Sequence, residues 1–132
     1  MDDDGIDRAM ARLARWEQGG DGESVPQLRA EFRKLMEEHC GVFREHNHLV
    51  AGLEKVTTLR ERLKQARIKD QSKIFNTARI EALELENLMD IGIATVASAL
   101  ARTESRGAHS RVDYTERDDS NWLKHSLYFE DG

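Results

Sequence analysis

Residues 76–111 read NTARIEALELENLMDIGIATVASALARTESRGAHSR, and their middle, residues 88–101, is LMDIGIATVASALA with Asp90 as its single charge. Apolar side chains fall on every side of a helical wheel there. That pattern predicts a helix buried all round, with Leu88 and Leu100 in its core. The segment is too short, and too charged at both ends, to span a bilayer. It reads as the central rod of a small helical bundle. Asn76 is placed to cap its start, and Gly107 to end it in a left-handed turn.

Two further amphipathic segments precede the rod. Leu28, Phe32, Leu35, Met36, His39, Val42 and Phe43 recur at helical spacing, which predicts a helix over 25–44. Ser24 and Gln27 have the spacing of a capping box, and Pro26 suits a first turn. Leu49, Leu53, Val56, Leu59 or Arg60, and Leu63 make the seam of a third segment, with Asn47 as its expected N-cap and its end near Ala66. Short links favour antiparallel neighbours. The expected fold is therefore all-α: an antiparallel three-helix bundle, spectrin-repeat-like, with a short N-terminal helix and an irregular C-terminal tail.

That N-terminal helix is signalled by Ile6, Met10, Leu13 and Ala14, with Asp4 or Asp7 as cap and Gly19-Gly20 as stop. Trp16 should cover its exit. In the tail, residues 122–129 alternate loosely and could form one strand, which would need a sheet from elsewhere. The expected organisation is a helix and linker over 1–22, the bundle core over 23–107 and an extended tail over 108–132.

Composition narrows the function classes. The chain has 132 residues, 34% of them charged, and a net charge of −5, which argues against a general nucleic-acid binder. The exception is residues 54–73, where seven Lys/Arg meet three Asp/Glu; a solvated helix face explains it. Cys40 is the one cysteine, so no internal disulfide forms, and the chain fits a reducing compartment. The acidic Met1-Asp2-Asp3-Asp4 start is unlike a signal peptide.

Candidate chemistry is sparse. His39, Cys40, His46 and His48 cluster in sequence without the closed spacing of a zinc site, so no metal ligand is assigned. Gly19-Gly20-Asp21-Gly22 follows no strand and reads as a linker rather than a phosphate loop. Asp90 is either a functional carboxylate or one that faces a polar neighbour or the surface at the bundle's end. Arg106, His109 and Arg111 form a donor-rich segment around Gly107. It wants carboxylate, carbonyl or phosphate acceptors, or it is a charged helix terminus with no partner.

Residues 59–63 (LRERL), 75–79 (FNTAR), 83–89 (LELENLM), 102–111 (RTESRGAHSR) and 116–127 (ERDDSNWLKHSL) resemble the C-terminal part of the succinate dehydrogenase flavoprotein subunit. The likeness runs over nearly the whole chain, and the block at 106–111 is its specific part. Fumarate reductase flavoproteins and aspartate oxidase share weaker versions.

The resemblance implies that the chain is a helical domain excised from a longer flavoprotein. In such a parent a dinucleotide-binding domain carries FAD and a capping domain closes over the dicarboxylate. Hydride passes from succinate to the flavin, and electrons go on to an iron–sulfur subunit and quinone. Membrane anchor subunits would hold the complex at the cytoplasmic face of the bacterial inner membrane. The family's dicarboxylate-binding and proton-shuttling residues lie upstream and none maps here. The resemblance thus implies no catalytic and no cofactor-binding residue in this chain, which should buttress the flavin-binding and capping domains. Arg106, His109 and Arg111 would then be an interdomain contact. Fumarate reduction is the alternative within the family, and a free-standing three-helix adaptor the alternative outside it.

Overall fold

A computed structural model describes residues 3–129. Along them run α1 (Asp3–Trp16), α2 (Val25–Cys40), β1 (Phe43–Arg44), α3 (His46–Gln65), α4 (Thr77–Ala101), β2 (Ser110–Arg111) and α5 (Asp119–Trp122). The outermost parts of the expected 1–22 and 108–132 segments, residues 1–2 and 130–132, lie outside the described residues.

Helices α2, α3 and α4 form the expected up-down-up bundle. Arg62, late in α3, reaches Glu23 just before α2 and Glu31 in its second turn. Gly52, early in α3, lies against His39 at the end of α2 and Val96 late in α4. Leu28, Phe32 and Leu35 meet Val56, Leu59 and Leu63, and Ala82, Leu85 and Met89 complete one apolar cluster. A smaller cluster of Cys40, Leu49, Val96 and Ala99 closes the other end. Each fully buried leucine contributes roughly 1.5–3 kcal/mol. Gly92 lets α4 come close to α2: a Cβ there would meet the Phe32 ring at 2.7 Å.

Asn76 caps α4 as expected. Its Oδ1 accepts from the Arg79 amide at 2.9 Å, and its Nδ2 donates to the carbonyls of Asp70 and Ser72. The other two cap assignments are corrected. Ser24 makes no side-chain cap bond; its backbone bridges to Arg67. Helix α3 begins at His46, so Asn47 lies inside it. The acceptor at that helix start is Asp113, whose Oδ2 takes a bond from the His46 amide at 3.1 Å. Asp4 and Asp7 likewise lie within α1.

Three expectations about burial are also corrected. The rod is not buried all round. Its buried stripe is Ala82, Leu85, Glu86, Met89, Gly92, Val96 and Ala99, while Ile80, Leu88 and Ile91 are exposed. Two partner helices cover only one side of a third. Helix α2 stops at Cys40 rather than residue 44, leaving Val42 and Phe43 exposed. Helix α1 is amphipathic, but its stripe of Ile6, Met10 and Leu13 faces outward.

What holds α1 is its last turn. Trp16 is buried in the main cluster and donates from Nε1 to Glu86 at 3.1 Å. Arg12 and Arg15 grip the same carboxylate.

The end of the rod differs too. Helix α4 stops at Ala101 and Arg102 leaves it in an extended conformation. Gly107 instead turns a tight hairpin, in which Arg106 and His109 exchange both backbone hydrogen bonds. Its φ of +58° is the left-handed value that a II′-like turn asks of its first central residue. The expected strand over 122–129 is absent: α5 is a single turn, and among the described residues no regular element follows it. The chain does supply a strand partner, but to Ser110–Arg111, which pairs in parallel with Phe43–Arg44.

Candidate functional site

Past α4 the chain folds back on itself, and the acceptors for its arginines come from within. Arg111 is 1% exposed. Its Nε and Nη2 make a two-pronged pair with Asp113, both at 2.7 Å. Its Nη1 donates to the carbonyls at the C-terminus of α4, reaching Ala99 at 3.0 Å and Leu100 and Arg102 at 3.3 Å. A guanidinium suits this place because its planar fork serves a carboxylate and helix-end carbonyls together, where a cation is also favoured by the dipole. The pair with Arg111 pulls the Asp113 carboxyl down to about 2. The same bond raises the Arg111 pKa above its ordinary value.

Glu104 is the second pivot, and sequence reasoning did not single it out. Its side chain is fully buried. Oε1 accepts from Arg102 at 2.6 Å and Arg106 at 2.8 Å; Oε2 accepts from Arg106 at 3.1 Å and the Asp118 amide at 2.8 Å. Arg106 above all, then the Asp118 amide and Arg102, hold its pKa down to about 2 against the pull of desolvation. Arg106 also reaches Asp119 at 2.6 Å. Arginines two residues to either side of one glutamate were the available signal.

His109 joins this knot to the α2–α3 corner. Its Nε2 meets the Arg102 carbonyl at 3.0 Å and its Nδ1 meets Arg44 Nη1 at 2.8 Å. A carbonyl only accepts and a guanidinium only donates. The ring is therefore neutral with its proton on Nε2. Burial lowers its pKa, and the neighbouring Arg44, Arg111 and Arg102 cations lower it further. The structure thus brings Arg106, His109 and Arg111 together, with Arg111 wholly enclosed and the other two half-buried.

Other candidates resolve into structure. Asp90 meets Arg60 at 2.6 Å across α3 and α4. His39 donates to the His48 carbonyl and accepts from Lys55 Nζ. Cys40 is a buried thiol whose pKa burial pushes up. Among the described residues no group of three or more His, Cys, Asp or Glu could hold a metal ion. Glu86 was missed as well: it is an acid on the buried stripe of α4, four residues after Ala82 and three before Met89.

The residues present do not fit a flavin. Gly22, before α2, is packed against Arg67: a Cβ on it would lie 2.8 Å from the Arg67 amide nitrogen. A pyrophosphate would need that space and a free helix N-terminus. No helix among the described residues is long and apolar enough to cross a membrane.

A helical bundle whose end is locked by a buried arginine–carboxylate knot is the class that this architecture defines. Residues 29–132 match the family model described as the fumarate reductase flavoprotein C-terminal part. The chain is 58% identical to the succinate dehydrogenase flavoprotein subunit of Coxiella burnetii, covering 98% of this chain and 22% of that one. Against the fumarate reductase flavoprotein subunit of Haemophilus influenzae the identity is 42%, over 91% of this chain and 20% of the relative. A solved structure of E. coli quinol fumarate reductase superposes with a TM-score of 0.90 at 38% identity, covering 98% of this chain and 22% of that one. The chain belongs to the succinate dehydrogenase/fumarate reductase flavoprotein family, and matches its C-terminal helical domain. It spans about a fifth of the length of the curated relatives it matches.

Proposed function

We propose that this chain serves as the helical buttress of a flavoprotein that oxidises succinate to fumarate, bracing its FAD-binding and capping domains. In that parent FAD takes the hydride, and electrons leave through an iron–sulfur subunit to quinone. Membrane anchor subunits hold the assembly at the cytoplasmic face of the bacterial inner membrane. The 58% identity to the succinate dehydrogenase subunit of Coxiella burnetii is what favours the oxidative direction.

The observation that carries the buttress role is the outer face of the rod. Leu88 and Ile91 point away from the bundle, and Ile6 and Met10 do so on α1. Apolar side chains spread over neighbouring elements mark a surface that another body covers. The helix and linker over 1–22, the core over 23–107 and the tail over 108–132 then act as one support. In the contact, Arg106 and His109 lie near the surface and Arg111 braces them from beneath. A rigid support matters because small misplacements of reacting groups are costly.

The test compares Ile91→Asp in two settings. In the 132-residue chain the substitution should leave helix content unchanged. In the full-length flavoprotein it should lower thermal stability and release flavin. If the full-length protein keeps its stability, flavin and turnover, the face is not an interdomain contact. Adding FAD and succinate to the 132-residue chain should give no bound-flavin spectrum; stoichiometric binding would overturn the division of roles.

A further inference from the structure

Resting on that reading, we propose that the cleft between the C-terminal half of α4 and residues 122–126 receives an acidic segment from the remainder of the parent polypeptide. The cleft measures about 800 Å³ and is open to solvent on one side. Ile91, Ala94 and Ala99 line its apolar floor, and Trp122 stands at its wall. Its basic lining groups are Arg44, Arg102, Arg106, His109, Lys124 and His125, and no Asp or Glu lines it. In a chain with net charge −5, a concave surface carrying one sign of charge is selective for the other.

The internal bonds show which cations are spoken for. Arg102 and Arg106 are engaged by Glu104, which lies buried beneath the surface. Among the described residues the Arg44 side chain donates to the Gly41 carbonyl and to neutral His109. Lys124 stacks its ammonium 5.2 Å from the Trp122 ring. Among the described residues neither Arg44 nor Lys124 has a carboxylate within ion-pair distance. The charged groups left without a carboxylate are therefore donors, beside an indole and an apolar floor.

A carboxylate fits the donors, and the stem of an aspartate or glutamate fits the floor. The occupant is assigned to the same polypeptide because the apolar floor is continuous with the proposed interdomain face: Ile91 belongs to both. Docking would then combine a non-directional apolar contact on α4 with a charge-assisted contact at its end, which sets register.

Two measurements test this. Zero-length carbodiimide coupling joins a lysine amine to a carboxylate in contact with it as an amide, with loss of water. In the full-length flavoprotein Lys124 should couple to an Asp or Glu outside residues 1–132, and Lys124→Arg, which keeps the charge but offers no amine that couples, should abolish that cross-link. Hydroxyl-radical labelling, compared between the 132-residue chain and the full-length protein, should show both Ile91 and Trp122 protected in the latter. Protection of Ile91 with Trp122 still labelled and no Lys124 cross-link would overturn the cleft proposal and leave the buttress role standing. Labelling of both residues at the rate of the 132-residue chain would overturn both. A Lys124 cross-link confined to residues of this chain would also overturn the cleft proposal.

Discussion

Leu85 and Met89 sit in the bundle among side chains that any apolar group of similar volume would satisfy. Arg111, beyond the end of the same helix, sits among acceptors whose positions only a guanidinium matches. Both regions exclude water from their centres, yet the forces differ. Apolar burial is non-directional and scales with area. The knot of Glu104, Arg102, Arg106, Arg111 and Asp113 is directional, and its two buried members, Glu104 and Arg111, would each be a buried charge without a partner if left alone. The difference teaches that tolerance to substitution follows the kind of contact rather than the depth of burial.

The largest expected effect breaks the knot. Arg111→Ala should destabilise the 132-residue chain by about 3–5 kcal/mol, because the α4 carbonyls lose their donor and a cavity replaces a fully enclosed side chain. Arg111→Lys keeps the charge but loses the fork, and should still cost about 1.5–3 kcal/mol. Urea unfolding measures both; a full rescue by lysine would mean that charge alone matters. Next in size, Leu85→Ala should cost about 2–5 kcal/mol, while Leu85→Met should cost less than about 1.5 kcal/mol. Equal tolerance to the conservative change at 85 and at 111 would erase the contrast.

A smaller effect separates the regions by pH. Glu104 and Asp113 are held down to about 2 in the folded chain, below the roughly 4 expected when unfolded. The unfolded state therefore binds more protons in that window, and stability falls as pH drops. The contribution is complete above about pH 4.5 and is lost progressively toward pH 2. The Trp122 indole, whose Nε1 donates to Thr103 Oγ1 at 3.1 Å, should report the release by NMR across that range. If its signal changes only together with those of the helices, knot and bundle unfold as one unit.

The smallest effect is expected at Leu88→Ala. An exposed position away from any pairing should move the stability of this chain by no more than about 0.5 kcal/mol. A loss as large as that at Leu85 would show that the outer face of α4 is covered even in the isolated chain.

The sequence by itself determined the three long helices, the Asn76 cap and the left-handed role of Gly107, because each depends on residues a few positions apart. Periodicity over 28–35 and 49–63 picked out the inner faces of α2 and α3, whereas the apolar middle of α4 showed no inner face. The block at 102–111 was legible as specific, and its resemblance carried the family. Only the tertiary structure decided which apolar residues are inside. Leu88 and Leu85 are the same residue on the same helix, and what separates them is where α2 and α3 lie. It also decided where the charges go. Asp113 reaches α3 across 67 positions, and Glu86 meets Trp16 across 70. Local pattern records that a residue is polar or apolar; which partner desolvates or neutralises it is set by contacts between distant segments, and these exist only once the chain has folded.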